Sequence, residues 1–136
     1  MLTGRRIYLK YDGYTLEPLK IDNGIGQEDP LSMVLYQYYN ADVLDIPSDN
    51  SESALAYVDD TILIAMVDNF MEAYNKLANI MCREGGVLDW SMIHNSLLEY
   101  SKLTLIDFAH RSSSKTRIAL QLPQRQIMPA SFTKYL

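Results

Sequence analysis

Apolar positions are spaced in two ways along this chain, and the spacing divides it into strands and helices. Ala54-Leu55-Ala56-Tyr57-Val58 and Thr61-Ile62-Leu63-Ile64-Ala65 are runs of five strand-like residues. Runs of that length and composition read as buried strands. Only Asp59 and Asp60 separate them, so a tight hairpin with two carboxylates at its tip is expected. Upstream, Leu31, Val34, Leu35, Tyr38 and Ala41 share one face of a helix, with Asp29 as its N-cap and Pro30 as its first residue. Pro47 and the polar run from Ser48 to Ser53 end it. Asp68 is expected to cap a second helix with the face Phe70, Ala73, Tyr74, Leu77 and Met81, which Gly85-Gly86 stops. Leu88 to His94 predicts a short third helix.

The flanks read as strands and loops. Ile7 to Lys10 and Leu16 to Ile21 enclose Tyr11-Asp12-Gly13-Tyr14, the pattern of a hairpin turn. Ser101 to Phe108 alternates in part and predicts a strand carrying Lys102. Arg111 to Lys115 predicts a polar loop, and Ile118 to Leu122 a short strand stopped by Pro123. The expected fold class is α+β: an antiparallel sheet with helices packed on one face, in one domain over residues 1–136. Tyr36, Tyr38 and Tyr39 follow the helical pattern and are expected in a core. Trp90 reads as a packing residue, and Cys82 as a small core residue. His94 and His110 lack metal-ligand spacing and read as structural or exposed.

Adjacent carboxylates at the end of buried strands repel each other and resist desolvation. A divalent cation removes both problems, and Mg²⁺ is commonly held by one or two carboxylates plus substrate phosphates. That chemistry serves phosphoryl or nucleotidyl transfer. An Asp-Asp pair alone is also an ordinary surface turn, so the segment upstream matters. Gly24-Ile25-Gly26-Gln27-Glu28-Asp29-Pro30-Leu31-Ser32 is a turn-rich loop that feeds directly into the first helix.

The order of glycine/glutamine loop, helix, polar loop and Asp-Asp hairpin resembles the reverse transcriptase domain of non-LTR retroelements, particularly the fungal type. The loop is similar to that family's Gly-x-x-Gln-Gly-x-Pro-Leu-Ser block. Tyr57-Val58-Asp59-Asp60 is similar to its Tyr-x-Asp-Asp box. Lys102 resembles the lysine of the next block, and Lys134-Tyr135-Leu136 the opening of the one after. The resemblance implies a polymerase palm and RNA-templated DNA synthesis, with an RNA template, a DNA primer and deoxynucleoside triphosphates as partners. It implies Asp59 and Asp60 as catalytic ligands of Mg²⁺ (or Mn²⁺), and Lys102 as a group acting at the phosphates. Gly24, Gln27, Glu28, Ser32 and Tyr57 would lie along template or nucleotide.

Two departures accompany the match. The family carries another metal-binding aspartate on an earlier strand, and nothing upstream of Gly24 reads as its equivalent. Asp12 reads as a turn residue. Glu28 stands where the family has glycine, adding bulk and negative charge near phosphates. The expectation is therefore a partial palm, inactive as an isolated chain. The alternatives are a non-catalytic relic that binds nucleic acid weakly or has no selected role, and an unrelated Mg²⁺-dependent phosphotransfer domain. No Gly-x-x-x-x-Gly-Lys-Ser/Thr phosphate loop supports an ATPase.

Composition narrows the classes further. The 136 residues are 48% hydrophobic, too apolar for a disordered chain. No apolar run reaches the roughly 20 residues that span a bilayer. The start of the chain has no signal-peptide pattern, and one cysteine, Cys82, permits no disulfide framework. An intracellular setting is expected, nuclear for a retroelement enzyme. The net charge of −5 is unevenly spread: residues 1–20 carry +2, residues 21–100 carry −12 and residues 101–136 carry +5. The acidic centre holds the candidate metal site, and the basic ends are where a nucleic-acid backbone is favoured.

Overall fold

The computed structural model describes residues 4–21, 30–108 and 118–132. The chain is α+β and divides into two compact units, Met1–Tyr39 and Asn40–Leu136. The expected cap Asp29, the loop around Gln27, His110, the loop from Arg111 to Lys115 and the terminal Lys134-Tyr135-Leu136 lie outside the described residues.

The first unit opens with an antiparallel ribbon. Strand β1 (Arg5–Ile7) pairs with β4 (Leu19–Ile21), and β2 (Lys10–Tyr11) pairs with β3 (Tyr14–Thr15). Asp12 and Gly13 both have positive φ, 45° and 77°, the backbone of a two-residue hairpin turn that suits Asp-Gly. The expected hairpin is present. It carries one irregularity: Ile7 pairs with Leu19 and Lys10 with Thr15, so the returning strand has one residue more between these pairs. The slip falls at Glu17-Pro18. Pro18 has no N–H to give a ladder, and a bulge is where a strand tolerates that.

Helix α1 (Pro30–Asn40) begins at the expected proline. Its apolar face is not covered as the periodicity predicts. Leu31, Val34 and Tyr38 are 60%, 57% and 83% exposed, Tyr39 and Leu35 are exposed too, and the buried residue of this helix is Ser32. The expectation that these tyrosines pack in a core is corrected. A unit of about 40 residues is near the lower limit at which a chain can enclose apolar surface by itself, and the described part of this one buries no apolar side chain.

The second unit opens with a 3₁₀ turn over Ala41–Asp45. Strands β5 (Glu52–Tyr57) and β6 (Asp60–Ala65) follow as an antiparallel hairpin. The long helix α2 (Phe70–Cys82) and short α3 (Val87–Ile93) come next. A second 3₁₀ turn, Tyr100–Lys102, leads to β7 (Leu105–Ile106). Strands β8 (Leu120–Leu122) and β9 (Arg125–Ile127) form a hairpin, and β10 (Pro129–Ala130) runs parallel to β7. The expected single sheet is thus resolved into two-stranded ladders around a helix.

Helix α2 organises the core. Tyr74, Ile80 and Met81 on α2 join Val87, Leu105, Leu120, Leu122 and Ile127 in one buried cluster. Phe70, Ala73 and Leu77 flank it, so the predicted face is the packed one, with Ile80 added. In β8 the buried-exposed-buried alternation of Leu120, Gln121 and Leu122 shows one face turned to the core. The Tyr74 hydroxyl donates to both oxygens of Asp107, at 2.7 and 2.8 Å. Burial first, and then the Asp107 carboxylate, push the phenol well above its ordinary pKa.

Several local expectations are corrected. The N-cap of α2 is Asn69, not Asp68: its extended backbone turns the side-chain oxygen onto the Glu72 N–H at 2.9 Å. Cys82 is exposed. Lys102 lies on the 3₁₀ turn, not on a strand. Ser101 Oγ donates to Glu99 at 2.5 Å and the Lys102 N–H donates to the Glu99 carbonyl at 3.0 Å, local bonds that compete with an extended ladder. Helix α3 runs within a residue of its expected bounds. It closes on Asn95 (φ 50°), with Ser96 N–H to Ser91 carbonyl and Asn95 N–H to Met92 carbonyl, a Schellman closure using asparagine in place of glycine.

Loop 46–52 is tied to α2 by charge. Glu52, whose side chain is 3% exposed, accepts from Arg83 at 3.0 Å and from the Ser48 N–H at 2.9 Å. Arg83 also donates to the Ile46 carbonyl and to Ser48 Oγ. Burial raises the Glu52 pKa, and the Ser48 and Arg83 donors more than offset it, leaving the carboxyl below its ordinary range. Lys76 bridges to Asp49 at 2.6 Å, a surface pair that contributes little by itself.

Candidate metal-binding hairpin

The candidate site is the tip of the β5–β6 hairpin. The ladder pairs Glu52 with Ala65 through to Tyr57 with Asp60. Val58 and Asp59 therefore form the turn, and Asp60 is the first residue of β6 rather than part of the tip. Val58 has φ 54°, a left-handed conformation that is an outlier for a β-branched residue and costs about 1–3 kcal/mol.

The register also decides which side chains share a face. Glu52, Ala54, Ala56, Thr61, Leu63 and Ala65 alternate onto one face. That face meets α2: Glu52 reaches Arg83, and Leu63 packs on the core. Tyr57, Asp60 and Ile62 share the opposite face with Leu55. Leu55 and Tyr57 are each 54% exposed, so the expectation of buried strands is corrected. One helix covers one face of a two-stranded ladder and leaves the other open.

Asp59 and Asp60 are both exposed. Neither makes a hydrogen bond or ion pair with a described residue, so their oxygens are open to solvent and ligand. Lys102 reaches the same region. Its ammonium pairs with Glu99 at 2.8 Å. Glu99 chiefly, and then Asp59 and Asp60 through space, raise its pKa above the ordinary lysine value. Lys102 thus carries full charge throughout the physiological range and lies within the field of both aspartates. Glu99 had no role in the sequence reading; its spacing of three residues from Lys102 was the available signal.

Other sequence candidates fall elsewhere. Tyr57 is beside the tip, paired across the ladder with Asp60. Ser32 is buried in the Met1–Tyr39 unit. Gly24, Gln27 and Glu28 lie outside the described residues. His94 stacks on Trp90 with ring centroids 4.7 Å apart and faces Asp42 at 3.6 Å, a contact that joins α3 to the Ala41–Asp45 turn.

The residues present set what a metal would find here. Among the described residues, no group of three or more His, Cys, Asp or Glu side chains is gathered to hold an ion. Asp59 and Asp60 are two adjacent exposed carboxylates, and Mg²⁺ is commonly held by one or two carboxylates together with water or substrate phosphate. No helix among the described residues is long and apolar enough to cross a membrane. No protein-family profile, curated protein or solved structure matches the chain.

Proposed function

We propose that this chain is a partial palm of an RNA-directed DNA polymerase of the non-LTR retroelement type. The observation that supports the reading is the pair of exposed carboxylates on the β5–β6 hairpin, Asp59 in its turn and Asp60 opening β6. Lys102, also singled out by the resemblance, is near enough for both aspartates to raise its pKa slightly, after the larger effect of Glu99. Asp59 and Asp60 would hold Mg²⁺ or Mn²⁺. Such an ion supplies activation of an attacking hydroxyl and stabilisation of the leaving pyrophosphate.

The chain's own groups have separable roles in this reading. The two exposed carboxylates offer negative charge to a cation, offset in part by the Lys102 ammonium. Lys102 offers a fixed positive charge to phosphate oxygens. Its raised pKa makes it a poor proton donor, so electrostatic stabilisation suits it better than general-acid catalysis. Glu99 holds it in place. Because no third carboxylate joins Asp59 and Asp60 among the described residues, the purified chain is expected to give no robust primer extension on an RNA template with Mg²⁺. Extension that depends on Asp59 would overturn that part of the proposal.

Metal binding tests the site directly. Mn²⁺ should broaden amide resonances around Val58–Thr61 selectively, and Asp59→Asn or Asp60→Asn should each remove most of the effect. Lys102→Met should strengthen Mn²⁺ binding about two- to fivefold by removing a neighbouring positive charge. Broadening spread evenly over the acidic surface, unchanged in both asparagine variants, would refute a metal site at this hairpin.

A further inference from the structure

We propose that the outer edge of β6 is a strand-pairing surface whose partner is β6 of a second copy of this chain, giving a continuous four-stranded sheet β5–β6–β6′–β5′. The inference stands whether or not the hairpin tip holds a metal. Hydrogen-bond parity along the hairpin carries it. Tyr57 and Asp60 close a two-residue turn, so they exchange both backbone bonds, and such pairs alternate along an antiparallel ladder with pairs that exchange none. The Met66 N–H donates to the Ser51 carbonyl at 2.8 Å, one step past the ladder and in the same phase as Tyr57–Asp60. Asp60, Ile62 and Ile64 therefore direct their backbone groups to β5. Thr61, Leu63 and Ala65 turn theirs to the outer edge. Among the described residues, no strand pairs there and none hydrogen-bonds to them.

An unpaired edge is a template for another strand, and proteins guard such edges with charge, proline or a bulge. None of these guards β6. Residues 61–67 are uncharged and hold neither proline nor glycine, the composition of a self-pairing strand, and the ladder runs unbroken over six pairs. The β5 edge differs: Glu52 lies on it, with its N–H taken by the Asp49 carbonyl at 3.0 Å. β6 is also complementary to itself. A two-fold axis through Leu63 sets Leu63 opposite Leu63, Thr61 opposite Ala65 and Ile62 opposite Ile64 of the other copy, an isologous contact. The Ile62–Ile64 pairs then form on the face that α2 leaves open, where apolar cross-strand contacts are favourable. The net charge of −5 opposes self-association, yet none of it lies within the paired segment. The same register holds the two copies of Asp60 roughly 20 Å apart at a strand's rise per residue, beyond the roughly 8–10 Å over which salt leaves exposed charges coupled.

The test is sedimentation velocity of the whole chain across concentration. The parent should sediment as a dimer at about 300 µM and as a monomer at about 1 µM, the range of a small, transient interface. Thr61→Pro deletes an edge N–H that the hairpin itself does not use. The two-fold loses two hydrogen bonds by it, so association should weaken at least about tenfold, with the far-UV circular dichroism of the parent retained. Ile62→Lys and Ile64→Glu should each weaken association at least about tenfold. An equimolar mixture of these two variants should associate again, because the register brings the new ammonium beside the new carboxylate. That rescue separates a lost contact from a lost fold. Isotope-filtered NOEs in the parent should join Ile62 of one copy to Ile64 of the other. The proposal is overturned if the parent stays monomeric at about 300 µM, or if folded Thr61→Pro associates like the parent. It is also overturned if the mixed variants stay monomeric, or if assembly continues beyond two copies.

Discussion

Ile80→Ala should destabilise the Asn40–Leu136 unit by about 3–4 kcal/mol, the upper-middle of the range for removing a fully buried aliphatic side chain. Ile80 has no exposed surface and lies where α2 meets the rest of the core. The loss has two sources. The deleted carbons no longer leave water on folding, and the neighbours cannot collapse fully into the space. Urea unfolding followed by far-UV circular dichroism should show a lower midpoint with little change in slope. Leu55→Ala is the contrast. At 54% exposure on the uncovered face of its hairpin, it should cost under about 1 kcal/mol. Equal losses at the two positions would mean that the core is not centred on α2.

Arg83→Ala is expected to cost about 3 kcal/mol, because it leaves a buried carboxylate without its main counter-charge. Glu52 would keep the Ser48 donors and a distant Lys76 at 3.7 Å. The figure is at the low end for a broken buried pair because Arg83 retains 21% side-chain exposure. The pH dependence has a definite sign. The folded-state pKa of Glu52 is depressed below its ordinary value of 4.5. Its contribution is therefore complete above the unfolded-state pKa and is lost as pH falls through the lower, folded-state value. The parent should lose stability in acid below about pH 4.5. The alanine variant should lose less over that interval, because part of the depression has gone. Glu52→Leu/Arg83→Met should recover much of the single-variant loss. If Arg83→Ala costs under about 1 kcal/mol, the link between loop 46–52 and α2 is not a stabilising one.

Local patterns in the sequence located most elements and failed where distant packing decides. Asp12-Gly13 announced its hairpin because both residues tolerate positive φ. Pro30 and Gly85-Gly86 marked helix ends for similarly local reasons. The hairpin at Asp59 and Asp60 was legible, but its register was not. Turn chemistry favours an aspartate in the left-handed position, yet Val58 takes it. Placing Asp59 there would pair Val58 with Thr61 and carry Leu63 from its place opposite Ala54 to one opposite Ala56, displacing it along the ladder from its contact with the core. Tertiary contacts outweigh the turn preference.

The same limit applies to the candidate site. Asp59 and Asp60 could be named from sequence, and so could Lys102. The 3₁₀ turn that holds Lys102 was obscured by apolar alternation from Leu103 onward, while Glu99 and Ser101 bend the chain before the strand begins. The division between units falls at Tyr39, near the end of a helix whose periodicity runs on without a break. No glycine, proline or polar linker marks it. Exposure of the α1 face was likewise hidden, since periodicity says which residues share a face and not whether anything covers it.

The arrangement of the second unit has a consequence for the order in which it assembles. The β5–β6 and β8–β9 ladders each close across a two-residue turn, so each is a local event on the microsecond scale. The core is not local. Tyr74 meets Asp107, and α2 lies against β8, which begins 38 residues after the helix ends. Loop closure of that length is completed only when α2 and β8 are both in place. Docking of the carboxy-terminal hairpin onto α2 is then expected to be the slow step. In stopped-flow refolding and unfolding, truncating Leu120 should slow folding, whereas changes at the Asp59 tip should register mainly in the unfolding rate.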